Sequence, residues 1–475
     1  MSFAVALLLL VLQADVRDPE RRARDLMAAG KTAEAIPLFE EIVRAAPDDA
    51  GARLNLAIAY FKAARHPEAI EQSQAALRLR PGLAAAQLFL GASYFELRDY
   101  ARAIEPLSAA VKGLPFDRNA QVMLAESLLE EERWAEAVGH FRAVTPPTPR
   151  VLYGLGAALD KLTRDATLAV QRNAPDSAYA AVLVGDEYVR QRRYGLALQH
   201  YRQAAARDPR LRGLRSGLSA VYRQTGHPEW AVGEPAPDCR TKTLECDFAA
   251  GRYWELVDRI RSPEGVYWAA RAYRELSRQS YEELSKHPAS LEYRLRAAET
   301  LDAAGLHAEA IREWRAARKI APDDERVQNG LAWSLFRSRD YEAVLALAEK
   351  LPDSAEAFFL RGASLLNLEQ PEKAISPLEA ALAADPQFLP ARAALGHALL
   401  RTGRAADAIP HLTAALPADG DGSVRYQLQR AYDHAGKPDQ AAQAREEYRR
   451  FMNGFEHKRR EEEGHHIVRV PLPHP

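Results

Sequence analysis

Four prolines, Pro47, Pro81, Pro115 and Pro149, stand 34 residues apart, and Ala35, Ala69, Ala103 and Ala137 keep the same step twelve residues ahead of them. A fixed period of this length marks a repeat array, in which each unit buries its apolar face on its neighbours. One unit reads directly from Ala84 to Pro115, AAAQLFLGASYFELRDYARAIEPLSAAVKGLP. Leu88, Leu90, Gly91 and Tyr94 lie on one helical stripe, Arg98-Asp99-Tyr100 breaks it, and Ala103, Ile104, Leu107, Ala110 and Val111 make a second. Proline ends the second helix because it lacks the N–H and clashes with the preceding turn. Gly91 and Ala103 are small where two antiparallel helices must approach closely. Turns such as Arg65-His66-Pro67-Glu68 put proline and an acid at a helix start, where both suit the exposed amides.

The recurring set Leu90-Gly91, Tyr94, Ala103, Leu107, Ala110 and Pro115 resembles the tetratricopeptide repeat, over most of the chain from Ala23 to Phe455. The resemblance implies an all-α fold: a right-handed superhelical solenoid of antiparallel helix pairs, about ten to twelve units, irregular in the middle. It also implies a protein-binding role rather than catalysis.

Where the phase slips, the sequence marks joints. Ala137 to Ala197 spans 60 residues, so Leu152–Pro175 reads as a shortened unit. Ala231 to Ala310 spans 79, with Leu256 between them, and Glu264–Lys286 reads as one longer helix. The expected organisation is a signal segment at 1–14, an array at 15–232, an irregular helical joint at 233–290, a second array at 291–455 and a flexible tail at 456–475. Phe3–Leu12, FAVALLLLVL, is too short to span a bilayer and suits the core of a secretory signal. No Lys or Arg precedes it, and Leu12 stands where a cleavage site favours a small residue; a buried first helix is the rival reading. Export to the periplasm or medium is expected, with no stable membrane insertion after signal cleavage. Without a signal the chain would be cytoplasmic.

The charges nearly cancel, 64 basic against 65 acidic, and they are mixed along the chain, which argues against nucleic acid as a partner. No phosphate loop, HExxH, Cys-x-x-Cys or Gly-x-Ser-x-Gly occurs, and repeat packing accounts for nearly every stretch, so neither an enzyme nor a cofactor is expected. Gly154 and Gly156 read as a helix-packing pair. His66, His227 and His307 read as solvated turn residues, and Glu130-Glu131-Glu132 as a solvated turn. His457, His465, His466 and His474 make a poor metal site because nothing fixes them.

The resemblance places first helices on a concave face that holds an extended peptide or a partner helix. The groove candidates are Leu54, Asn55, Ile58, Phe61, Leu88, Phe89, Phe95 and Glu126, then Trp333, Phe336, Arg337 and Phe359. Packing between units is the alternative role for each. The cationic clamp by which some relatives hold chaperone tails is missing: its slots carry Glu20, Arg24, Asn55, Ala85 and Phe89, and only Asn55 fits. The expected function is a non-enzymatic scaffold in the bacterial cell envelope binding a protein or peptide of unknown identity. The alternative is an accessory module for a carbohydrate- or lipid-handling system. Cys239 and Cys246, the only cysteines, flank a proline-broken loop. An oxidising compartment would let them close a disulfide across the joint, in preference to a metal pair or two free thiols.

Overall fold

The computed structural model describes residues 18–240, 243–257 and 262–464, with side chains assigned to residue 456. The apolar run Phe3–Leu12 and the histidine-rich end therefore lie outside the described residues. Among those described the chain is all-α. Ten antiparallel helix pairs recur, from Asp18–Ala28 with Thr32–Ala45 to Ser423–His434 with Pro438–Gly464. Two reduced pairs follow Arg207: Leu214–Gln224 with a single 3-10 turn at Pro228–Trp230, and Leu244–Ala249 with Tyr253–Val257.

Each pair closes on the residues that the period selects. Ala35, Ala69, Ala103, Ala137, Ala197, Ala310, Val344, Ala374 and Ala408 are all fully buried. A first-helix glycine faces a residue sixteen positions on. A Cβ at Gly91 would lie 2.6 Å from Leu107 Cγ, one at Gly396 2.6 Å from Leu412 Cγ, and one at Gly185 2.6 Å from Tyr201 Cε1. Only hydrogen at these positions lets the two backbones come together. Helix starts use side-chain caps: Asp49, Asp117, Ser177, Ser290, Asp324 and Ser354 each accept from amides of the first turn. The turn inside each regular pair holds a left-handed residue, which is glycine at Gly30, Gly305, Gly403 and Gly436 but Ala64, Arg98, Glu132, Arg192, Arg339 and Glu369 in the others.

The chain forms two compact units. The first runs to Ala166 and takes back Ala269–Leu284; the second comprises Thr167–Trp268 and Ser285 onward. In the first unit the core clusters are built from successive pairs. One holds Leu90, Tyr94, Leu107, Leu124, Phe141 and Val151; an earlier one holds Ile36, Phe39, Leu56 and Tyr60.

Two expectations change. Leu152–Pro175 is not a shortened pair, because Pro149–Asn173 is one 25-residue helix. No glycine or proline interrupts it after Gly156. Its second helix comes from far along the chain. Within the first unit, Ser277 Oγ lies 2.7 Å from Asp160 Oδ1, Tyr281 donates to Asp160 Oδ2 at 3.3 Å, and Gly156 makes room for the Tyr281 ring. Gly154 likewise makes room for Phe141, so both glycines are packing residues. At the C-terminus, helix Pro438–Gly464 runs past Glu456, where a flexible tail was expected; residues 465–475 lie outside the description.

In the second unit the pairing of helices is broken after Gly226. The second helix after Gly226 is cut to one 3-10 turn, and the next first helix to Leu244–Ala249. The loop between them is held by side chains that do the work of the missing helix. Glu234 accepts from the Gly213 and Ser216 amides at 2.8 and 3.0 Å, capping the helix Leu214–Gln224. Ser219 exchanges two hydrogen bonds with the Val232 backbone, at 2.7 and 2.9 Å. Arg212 joins Glu245 at 2.7 Å and reaches the Pro235 carbonyl. The Cys239 and Cys246 sulfurs stand at disulfide distance, with Cα atoms 5.7 Å apart.

Candidate functional site

First helices repeat at the same register, so their side chains at equivalent positions form rows along each unit. In the first unit this surface carries Leu54, Asn55 and Ile58, all half-buried, and then Phe61, whose ring meets Phe89 edge-on at 5.4 Å. Phe61 also packs on the cluster around Leu56 and Tyr60, and Leu88 and Phe95 on the cluster around Leu90. These residues therefore seal neighbouring helix pairs within the first unit and also leave part of their surface open.

Glu126 is not an open acid. Arg150 grips it with two hydrogen bonds of 2.6 and 2.5 Å, and the same guanidinium stands 5.9 Å from the Phe95 ring. Arg150 was missing from the sequence-derived set. It opens the long helix Pro149–Asn173, whose misreading as a shortened unit hid its register.

In the second unit four candidates converge. Trp333 lies 6.0 Å from Phe336 and 5.8 Å from Phe359, and Phe336 lies 6.0 Å from Phe359. Arg337 stands exposed with its guanidinium 5.7 Å from the Trp333 ring, a cation–π distance. Phe359 is 7% exposed and is the most buried ring of the cluster. Tyr341 and Phe388 complete the cluster, 5.6 Å from Phe336 and 5.3 Å from Phe359. Phe388 escaped sequence reasoning because it precedes its helix, Leu389–Arg401, rather than falling on the helical stripe. The signal was the aromatic residue directly before a first helix.

The turn histidines are more engaged than a solvated role implies. His66 is half-buried with its ring 5.5 Å from Phe61, and His227 stacks on Trp230 at 3.9 Å. His307 lies 2.9 Å from Asp302. Asp302 also accepts from Trp314 Nε1 at 2.9 Å and Ser334 Oγ at 2.5 Å. Serine and histidine both bind the carboxylate here and not each other. The arrangement is a structural hub joining two successive helix pairs of the second unit, unlike a nucleophile activated by an imidazole. No group of three or more histidine, cysteine, aspartate or glutamate side chains suited to a metal occurs among the described residues. No described helix is long and apolar enough to cross a membrane.

A tetratricopeptide-repeat family profile matches residues 20–84, 88–151 and 330–387, and a second matches 365–432. No curated protein matches. Among solved structures the chain is similar to YrrB, described as a TPR protein with an unusual peptide-binding site, at 17% identity over 35% of this chain and 89% of that one, TM-score 0.30. It is similar to a thermophilic TPR protein of Thermus thermophilus at 20% identity over 34% and 90%, TM-score 0.29. The APC/C hetero-tetramer Cut9–Hcn1 matches at 14% identity over 90% and 91%, TM-score 0.32. None of these likenesses says what this chain binds. The family profiles, however, fall on the regular stretches toward both ends, where the helix pairs close on the alanines and glycines of the 34-residue period. The chain is therefore a tetratricopeptide-repeat protein.

Proposed function

We propose that the protein is a non-enzymatic scaffold that holds an extended peptide or partner helix against its first-helix face. The observation that carries this is the aromatic cluster of Trp333, Phe336 and Phe359, with Arg337 standing exposed beside it. Exposed or half-buried aromatics and arginine are the residue types that dominate protein–protein binding energy. The rings meet one another at angles, and Arg337 stands over Trp333, an arrangement better suited to gripping side chains than to stacking a sugar. That favours a peptide over the carbohydrate or lipid alternative. The test is selection of binding peptides on the full-length protein, followed by titration of a Trp333→Ala, Arg337→Glu variant and a Leu54→Asp, Phe89→Asp variant that retain helical circular dichroism. Loss of about tenfold or more in affinity in one variant is expected, the scale of a hot spot. Undiminished binding by both overturns the assignment.

The same proposal places the scaffold outside the cytoplasm, on the apolar run Phe3–Leu12 and the cysteine pair. The 5.7 Å Cα separation of Cys239 and Cys246 suits a bridge without backbone movement. In an oxidising compartment that bridge would clasp the loop already held by Glu234 and Arg212. A closed ring this short stabilises by roughly 2–3 kcal/mol in the chain-entropy account. Thiol counting on denatured, unreduced protein from envelope fractions should find no free thiol. Two free thiols there would remove the clasp and weaken the export reading.

A further inference from the structure

Beyond the aromatic cluster, the second unit carries a basic depression of about 520 Å³ lined by His397, Leu400, Arg401, Gly403, Arg430 and His434. Its four cationic or titratable groups come from two successive first helices, Leu389–Arg401 and Ser423–His434. They are in register: His397 to Arg430 and Arg401 to His434 are both steps of 33 residues. The same two rows of the helix surface therefore present a histidine and an arginine twice, in exchanged order.

The charges around this depression leave a net demand for an anion. Arg401 is tied to Glu369 and to the Leu366 carbonyl, but Glu369 is 75% exposed at the rim and covers one side of the guanidinium. Asp433, on the same helix as Arg430, faces Arg445 at 3.5 Å. Among the described residues Arg430 has no side-chain carboxylate paired to it; the ring of Tyr426 lies 6.0 Å from its guanidinium, and His397 and His434 line the depression with it. Arg430 stands exposed at this depression, and a guanidinium without a paired carboxylate is matched by a carboxylate from outside, through paired N–H donors.

We infer that this depression is an anion-recognition site for an acidic segment of the bound peptide. The site stands on the first-helix surface, the one that carries the aromatic cluster of the same unit, and it rests on the peptide reading for its occupant. It adds to that reading a partner whose apolar residues are accompanied by glutamate or aspartate.

Fluorescence anisotropy of a labelled, amidated hexaglutamate peptide with the full-length protein tests this directly. Saturable binding is expected, weakened about tenfold by Arg430→Glu and less by Arg430→Gln, with Arg318→Glu within about twofold of wild type. Arg318 is an exposed cation outside the depression and controls for net charge. Absence of saturable binding up to about 1 mM overturns the inference. So does equal weakening by Arg318→Glu, which would make the attraction diffuse. Full displacement by equimolar inorganic phosphate also overturns it, since the site would then take small anions. An apolar peptide that still depends on Trp333 while hexaglutamate fails to bind removes the acidic site and leaves the scaffold reading standing.

Discussion

At the residue scale, histidines set how this protein responds to acid. Burial, the first cause in each case, pushes His140, His200, His397 and His411 below the ordinary 6.5. At His397 the cations Arg401 and Arg430 add to it, and at His411 Arg392 does. A histidine whose folded pKa lies below its unfolded value binds its proton more readily when the chain is open. Stability is then complete above 6.5 and falls as pH drops through 6.5 toward the folded values. Urea unfolding should therefore show a lower midpoint at about pH 5.5 than at about pH 7.5, before carboxylates begin to protonate. His411 has a buried Nδ1 without a hydrogen-bond partner. His411→Leu should raise stability by about 1 kcal/mol at neutral pH and shrink the acid loss. A variant less stable at both pH values would show that the imidazole is better satisfied than its surroundings indicate. None of this is visible in the sequence, where a helical histidine reads as surface until its neighbours are known.

At the element scale, the helix pair is the unit of stability, and its glycines separate two roles. Gly91 sits under Leu107 with no space for a methyl group, whereas a Cβ at Gly139, on the exposed side of helix Trp134–Ala143, meets nothing within 4 Å. Gly91→Leu should cost about 1–3 kcal/mol by overpacking, and Gly139→Ala should gain up to about 1 kcal/mol of helix propensity. Thermal or urea unfolding of the two variants compares them, and equal effects would mean that the pairs are looser than their contacts imply. The pairs themselves were legible because alanine, glycine and proline recur in phase. Ala197 to Ala231 also keeps the step, yet Ala231 falls in the pinned loop, because Gly233, Pro235 and Pro237 stop the helix that the period calls for. The partnership of Pro149–Asn173 with Pro263–Leu284 was not legible. Its contacts, Asp160 with Ser277 and Tyr281, join residues more than a hundred positions apart, and no local pattern records such a pairing.

At the scale of the whole molecule, repetition turns single side chains into surfaces. Trp333, Phe336 and Phe359 were selected from the sequence as projections of one repeat onto the next, and they meet because consecutive first helices keep register. The same logic missed Phe388, which precedes its helix. It gave Glu126 a role that Arg150 already occupies. It also passed over Arg430 and His434, since a charged residue on a helix reads as solvated until the depression around it is known. On the proposed reading, the result is a binding face assembled from ordinary packing residues, with specificity carried by a few aromatics and cations.

The central claim is that this face, rather than the second-helix side, holds the partner. Hydrogen–deuterium exchange of the full-length protein with and without a selected peptide tests it most directly. The account predicts slowed exchange along the first helices Glu325–Arg337, Ala355–Asn367 and Leu389–Arg401, with the second helices Tyr341–Ala348 and Pro371–Ala384 unchanged. Protection confined to the second helices would contradict it.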